Sequence, residues 1–420
     1  MFAGDLPQAD AVFPELDMNS VKLGQLLFYD PILSGNKSVA CATCHHPDMA
    51  TADGVSLGIG DGGIGLGVNR RIDPDNPPEE RIPRHAPALF NLGAAEFSVM
   101  FHDGRLEADP TQPGGMRTPI GGDMVQGFKS VLSAQAMFPV LSPDEMAGHY
   151  GENDISKAVR QGRLSHTGGA WDILSARVSN IPEYRQKFDG VIGEDTDIKF
   201  TDIANVIADF IAFEWQADDS AFDKYLRGQG TLLAQAEAGK DLFYGKAKCS
   251  TCHAGQFQTD HDFHAIAMPQ FGPGKAPAFL DHFRDDGRMA VTGQIEDEFA
   301  FRTPSLRNVA HTAPYGHTGA YATLQGVIQH HLAPVQSLTD YERSQVIFPA
   351  LEGHEDWTIL NDERQQSAIA SANALAPQTL EPNEITQIIA FLESLTDQTS
   401  LNGRLGIPAS VPSGLPLDPR

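Results

Sequence analysis

Cys41-Ala42-Thr43-Cys44-His45 and Cys249-Ser250-Thr251-Cys252-His253 are two copies of one pattern, and between them they hold all four cysteines of the 420-residue chain. C-x-x-C-H is the attachment pattern of c-type haem: two thiols add across the porphyrin vinyl groups and the adjacent histidine reaches the iron. One copy alone would also read as a thioredoxin-like thiol pair or as half of a zinc site. Two copies with no cysteine left over point to two covalently bound c-type haems, held by Cys41, Cys44 and His45 and by Cys249, Cys252 and His253. Haem is normally attached in this way outside the bacterial cytoplasm. The sequence opens Met1-Phe2-Ala3-Gly4-Asp5, without the basic and apolar segments of a leader. A periplasmic, exported protein whose signal peptide is absent from this sequence is therefore expected.

Outward from the two motifs the chain repeats itself. Leu23-Gly24-Gln25-Leu26-Leu27-Phe28-Tyr29 precedes the first, and Ala238-Gly239-Lys240-Asp241-Leu242-Phe243-Tyr244 precedes the second. After them, Pro87-Ala88-Leu89-Phe90-Asn91 answers to Pro304-Ser305-Leu306-Arg307-Asn308, and His102-Asp103-Gly104 to His317-Thr318-Gly319. Matched landmarks in the same order predict an all-α chain of two cytochrome c-like haem domains related by internal duplication, with long Gly/Pro-rich loops. The expected division is residues 1–228, residues 229–400 and an extended tail at 401–420. Apolar residues at the 3.6 period predict helices through Ile203, Val206, Ile207, Phe210, Ile211 and Trp215, and through Ile385, Ile388, Ile389, Leu392 and Leu395. The Gly-rich stretch 53–67 and the Pro/Asp cluster 73–78 read as irregular loops, and polar residues 218–230 as a hinge.

Composition narrows the function. Thirty Lys and Arg against fifty-five Asp and Glu give a net charge of −25, which repels phosphate backbones and argues against nucleic-acid binding. No stretch approaches the roughly 20 apolar residues needed to span a bilayer.

Phe101-His102-Asp103-Gly104-Arg105 after the first motif, and Arg302 to Asn308 with Thr312-Ala313-Pro314-Tyr315-Gly316-His317 after the second, resemble the bacterial dihaem cytochrome c peroxidases. The Pro-Tyr-Gly-His wording and the ending Val411-Pro412-Ser413-Gly414-Leu415-Pro416 are closer to the MauG-like branch, whose members use peroxide to oxidise a protein substrate. The resemblance implies that the N-terminal haem meets hydrogen peroxide and that the C-terminal haem is its redox partner. It also implies that Glu145, in Gln135-Ala136-Met137-Phe138-Pro139-Val140-Leu141-Ser142-Pro143-Asp144-Glu145, is the base that moves a proton between the peroxide oxygens, with Gln135 and Pro139 lining the pocket. Without the resemblance, Glu145 reads as an ordinary first-turn helix residue. Asp61 falls where relatives carry a histidine that closes the first iron, so an open or water-bound N-terminal haem is expected.

The family's distal ligand to the second iron corresponds to His331. Helical spacing supports it independently, because Leu324, Val327, Ile328 and His331 share one face while His330 points about 100° away. Met268, His261 and His264 are the competitors. Imidazole in place of the family's thioether lowers the potential of that iron, which favours storing an oxidising equivalent there as part of a bis-Fe(IV) state.

Three departures from the family stand out. His102 replaces the tryptophan that bridges the haems, and is read as a relay or as a propionate partner. The inter-haem calcium positions read His85, Thr312 and Pro314, and imidazole is a poor ligand for so hard a cation, which leaves Thr312 and Pro314 as weak candidates. Ala247-Lys248 stands where MauG has a tryptophan, and Trp171, Trp215 and Trp357 read as packing residues rather than exits for an oxidising equivalent. Three functions follow: a MauG-like oxidase of a protein or other reductant, a cytochrome c peroxidase that detoxifies peroxide with electrons from a small cytochrome or cupredoxin, and a non-enzymatic electron carrier or redox sensor.

Overall fold

The computed structural model describes residues 6–275, 283–351 and 353–418. Residues 1–5, on which the leader argument rests, lie outside it. Two hydrophobic cores organise the chain, and each is built on a pair of crossing helices.

In the N-terminal core the helix Met18–Tyr29 starts on an Asp17 cap, whose carboxylate accepts from Asn19 N at 3.0 Å. It crosses the helix Phe200–Glu214, which buries Ile203, Val206, Ile207, Phe210 and Ile211 as their spacing requires. The helices Ala170–Ser179 and Pro182–Ile192 complete this core with Trp171, Leu174, Tyr184 and Phe188. In the C-terminal core the helix Ala234–Phe243 crosses the helix Pro382–Glu393.

The two crossings share one device. A Cβ on Gly24 would lie 1.8 Å from the carbonyl oxygen of Val206, and a Cβ on Gly239 would lie 1.8 Å from that of Gln387. Only glycine lets the backbones meet so closely. Each crossing is then closed by aromatic rings. Phe28 packs on Phe210 and Trp215 at 5.3 and 5.1 Å, and Phe243 packs on Phe391 at 5.1 Å.

Three expectations need correction. The chain is mostly helical rather than all-α, because it also carries three small antiparallel ladders. Gly63–Ile64 pairs with Arg71–Ile72, Leu106–Ala108 lies between Val99–Met100 and Met116–Arg117, and Phe263–His264 pairs with Phe301–Arg302. Strands of two or three residues are too short to show a period in sequence. The first ladder also gives regular structure to a stretch read as loop. Residues 218–230 are not a free hinge: Ser220 caps a helix, Ala221–Leu226, whose Phe222 is fully buried 5.1 Å from Phe391, and whose Asp223 meets the buried Arg307 at 2.8 Å. That helix packs with the C-terminal core.

Beyond the helix Gln398–Asn402 the chain returns to the N-terminal core. The Glu214 carboxylate accepts from Leu405 N and Gly406 N, both at 2.7 Å, and Ser413 Oγ donates to Asp30 at 2.7 Å. Thr43, inside the first cysteine motif, donates to Asp418 at 2.5 Å.

The halves are pinned by buried charge. Arg84 forks between Asp285 at 2.6 Å and Asp103 at 2.7 Å, and all three side chains are at most 7% exposed. Burial alone would raise the Asp103 carboxyl, but Arg84 and then Arg105 override it and hold it down to about 2. Among the described residues, no helix is long and apolar enough to cross a membrane.

Candidate functional site

Both cysteine motifs wind into a single turn and hand the chain to a histidine. Cys41–Cys44 is one helical turn in which Thr43 Oγ1 accepts from Ala40 N at 2.9 Å, and Cys249–Thr251 is one 3-10 turn. The two histidines are held alike. His45 Nδ1 lies 2.9 Å from Thr51 O, and His253 Nδ1 lies 3.0 Å from Gln258 O. An imidazole that donates Nδ1–H to a carbonyl keeps Nε2 bare, the form that ligates a metal. Burial keeps both rings neutral, pulling His253 down to about 4 and lowering His45 as well.

None of the four cysteines is tied up in a disulfide, as two haem-attachment motifs require.

Opposite His253 stands His331. The helix Leu324–Leu332 begins on Thr323, whose Oγ1 accepts from Gly326 N at 3.1 Å. His331 Nδ1 returns to Val327 O at 2.8 Å, and its ring centroid lies 6.4 Å from that of His253. Two metal–imidazole bonds of about 2 Å each, added to the ring radii, fill such a gap. The competitors are otherwise engaged. His330 is fully buried, with Nδ1 2.8 Å from Tyr321 Oη and Nε2 2.7 Å from Ile266 O. His261 and His264 meet Glu96 and Asp260 at 3.0 and 2.9 Å, and Met268 packs in the C-terminal core.

Among the described residues, His45 makes no such ring contact. On its side Glu145 sits in the turn Pro143–Ala147, near enough to Cys44 for its charge to raise the thiol. The Gly-rich loop sets this turn in place. Asp61 N donates to Asp144 O at 3.1 Å, and a Cβ on Gly60 would lie 2.6 Å from Glu145 O. Arg70 pegs the loop itself, donating to the carbonyls of Ile59 and Gly60 at 2.5 Å and of Gly65 at 2.6 Å.

Asp61 does not reach out as a ligand would. Its carboxylate accepts from Asn36 at 2.9 Å, Ser38 at 3.0 Å and Asn76 at 3.1 Å. Burial raises the Glu145 carboxyl, while Lys275 and Arg105 oppose that rise. Gln135 ends the helix Val131–Gln135, and Pro139 starts the next turn, Pro139–Leu141. Trp171 holds the segment between them by donating from Nε1 to Met137 O at 2.9 Å.

His102 lies where the halves meet. Its Nε2 is 3.0 Å from His85 O, and its carbonyl accepts from Arg302 N at 2.8 Å. At the calcium positions, His85 Nδ1 is 2.8 Å from Val55 O and Thr312 Oγ1 donates to Val309 O at 3.3 Å. Thr312 and Pro314 have backbone carbonyls to offer, but His85 brings an imidazole and no side-chain oxygen, a poor donor for so hard a cation.

Sequence reading missed the cations around Glu145. Arg105 was visible inside Phe-His-Asp-Gly-Arg, where its guanidinium packs 3.7 Å over Phe101. Lys275 lies in a Gly/Pro-rich stretch with no signal of its own.

The comparisons with known proteins agree with this geometry. The family model for the di-haem cytochrome c peroxidases matches residues 18–231. The methylamine utilization protein MauG of Methylorubrum extorquens is 28% identical over 78% of this chain and 71% of its own length. A cytochrome c peroxidase of Escherichia coli is 30% identical over 74% of this chain, which spans about half (53%) of that relative. A solved MauG-like protein associated with microbial copper homeostasis superposes with a TM-score of 0.59 at 25% identity, over 96% of this chain and 97% of that one. With two C-x-x-C-H sites, the facing histidines His253 and His331 and these likenesses together, the chain belongs to the di-haem cytochrome c peroxidase family of haem-dependent oxidoreductases.

Proposed function

We infer that the chain is a MauG-like enzyme that reacts with hydrogen peroxide beside Glu145 and passes oxidising power to a second, doubly ligated haem, from which a protein or other reductant is oxidised. The observation that carries this reading is the unlike pairing of the two halves. His253 faces another imidazole at 6.4 Å, whereas the half that holds His45 offers the half-buried carboxyl of Glu145.

In this reading Cys41 and Cys44, and Cys249 and Cys252, anchor the haems, His45 ligates the first iron, and His253 and His331 ligate the second. The haems supply the reduction of peroxide to water and the storage of the two oxidising equivalents. Glu145 takes the proton from one peroxide oxygen and gives it to the departing one. Lys275 and Arg105 oppose the rise that burial gives the Glu145 carboxyl, the direction that favours a base. Pro139 offers no N–H to compete for peroxide, and Gln135 beside it is a donor for orienting the substrate.

His102 couples the halves through its bonds to His85 and Arg302. The glycine-mediated crossings at Gly24 and Gly239 support descent of both halves from one haem domain. The division is then near residue 219, with the helix Ala221–Leu226 in the second unit. In this reading the protein is periplasmic, since c-type haem is normally attached outside the bacterial cytoplasm. The net charge of −25 suits a basic partner.

One equivalent of peroxide added to the diferric protein tests the reading. Ferric signals of both haems are expected to fall together, and a second-haem signal that persists unchanged contradicts it. A second reading, a cytochrome c peroxidase fed by a small redox protein, draws on the Escherichia coli relative. It requires fast steady-state turnover with a reduced cytochrome or cupredoxin, where the first reading expects little.

A further inference from the structure

The C-terminal core contains a run of aromatic rings that packing alone does not require to be oxidisable. It starts at His331. Next along the helix is the His330 ring, with its centroid 6.1 Å away, and Tyr321 lies 5.1 Å beyond that. Tyr341 follows at 5.6 Å, Phe271 at 6.4 Å and Trp357 at 5.8 Å. Each step lies within the range at which rings are in contact, and the run ends at Trp357, which is only partly buried.

Tyr321 has a feature that the other rings lack. His330 spends one ring nitrogen on Ile266 O, an acceptor, so Nε2 must carry the hydrogen and Nδ1 must be bare. Tyr321 Oη, 2.8 Å from that bare nitrogen, therefore donates to it. A buried phenol is hard to oxidise because the radical cation it would leave is strongly acidic and has nowhere to shed its proton. Here a base sits within hydrogen-bond reach. Tyr341 differs, since its hydroxyl donates to Ala320 O at 2.5 Å, and a backbone carbonyl does not take up a proton. Burial also holds the Tyr321 hydroxyl above its ordinary range, so the group is a phenol when an oxidant arrives.

We propose that Tyr321 is a redox-active residue, oxidised by the haem that His253 and His331 hold, and that Tyr341 and Phe271, without being oxidised themselves, bridge it to Trp357 at the surface. The inference rests on the function proposed above, with hydrogen peroxide as the source of oxidising equivalents. Tyr321 gives one electron to the oxidised haem, which is reduced by one, and the phenolic proton crosses to His330 Nδ1, leaving a neutral tyrosyl radical. An electron from an outside donor enters at Trp357 and reaches Tyr321 through Phe271 and Tyr341, while the proton returns from His330. The donor has then lost one electron and the haem has gained it, while Tyr321 and His330 are restored. Phe271 is a spacer here, too hard to oxidise itself.

The holoenzyme, treated with one equivalent of peroxide without reductant and freeze-quenched, provides the test. The expected result is a narrow organic radical signal whose hyperfine structure collapses when the protein carries ring-deuterated tyrosine. Tyr321→Phe keeps the ring and loses the hydroxyl, so it is expected to abolish that signal and to prolong the peroxide-oxidised state at least tenfold. Tyr341→Phe is expected to keep the signal, and Trp357→Phe to lengthen its lifetime when ascorbate is the donor. Haem content and the absorption spectrum before peroxide report whether each variant has folded. A wild-type signal that ignores the label, or a Tyr321→Phe variant whose radical and decay match wild type, overturns the inference and leaves the peroxidase reading standing. A wild-type protein whose haem spectra do not respond to peroxide removes both.

Discussion

The two halves share a scaffold and differ in what they set against the attached histidine. Both cross a short helix over a longer one through a glycine, at Gly24 and Gly239, and both lock the histidine by an Nδ1 bond to a following carbonyl. In the C-terminal half a regular helix then delivers His331 to within 6.4 Å of His253. In the N-terminal half a Gly-rich loop, pegged by Arg70, supports a turn that carries Glu145. A rigid helix suits a permanent ligand, whereas a loop and a half-buried acid suit a site that must admit a small oxidant. The common fold thus fixes the haem positions, and the segment laid over the open face decides the chemistry.

Removing the acid is the strongest way to break this contrast. Glu145→Gln is expected to slow the reaction with peroxide by about 10²–10⁴-fold, the usual contribution of a general acid–base group. The low-spin signal of the second haem should not change, and stopped-flow absorbance together with EPR checks both. Next in size is the charge lock between the halves. Arg84→Met leaves Asp285 buried without its partner and Asp103 with Arg105 alone, and should cost about 3–5 kcal/mol in denaturant unfolding.

Gly24→Ala and Gly239→Ala sharpen the scaffold side of the comparison. Each should destabilise its own half by about 1–3 kcal/mol or more through overpacking, and similar losses in urea titrations would mark the crossings as equivalent. The smallest effects concern pH. The Asp103 carboxyl is depressed in the folded state, so its contribution to stability is complete above about pH 4 and is lost as the pH falls toward about 2. Arg84→Met should flatten that acid limb in a pH series of unfolding curves. Glu145 shifts the opposite way, so its ionised form, and the peroxide rate with it, should be lost on acidification above the ordinary glutamate range of about 4.3.

Much of this was legible residue by residue. The cysteine spacing pointed to haem, and the 3.6 period favoured His331 over His330 without deciding between them, because a helix turns neighbouring side chains by about 100°. The structure gives that preference a cause, since both nitrogens of His330 are bonded away from the site. Glu145 became legible only through the family resemblance, as nothing local distinguishes it from a first-turn acid.

Pairings between distant parts of the chain stayed invisible. Arg84 and Asp285, or Arg307 and Asp223, carry no mark of their partners in sequence. Residues 218–230 misled because polar composition outweighed one capping serine and one core phenylalanine, Ser220 and Phe222. Trp357 was read as packing because its place at the end of a ring series depends on Phe271 and Tyr341, far from it in the chain.

The EPR spectrum of the oxidised, peroxide-free holoprotein tests the asymmetry most directly. One high-spin ferric centre and one low-spin centre with bis-imidazole g-values are the expected result. Two low-spin centres would mean that a protein group closes the iron beside Glu145 as well, and would contradict the contrast on which the proposed chemistry depends.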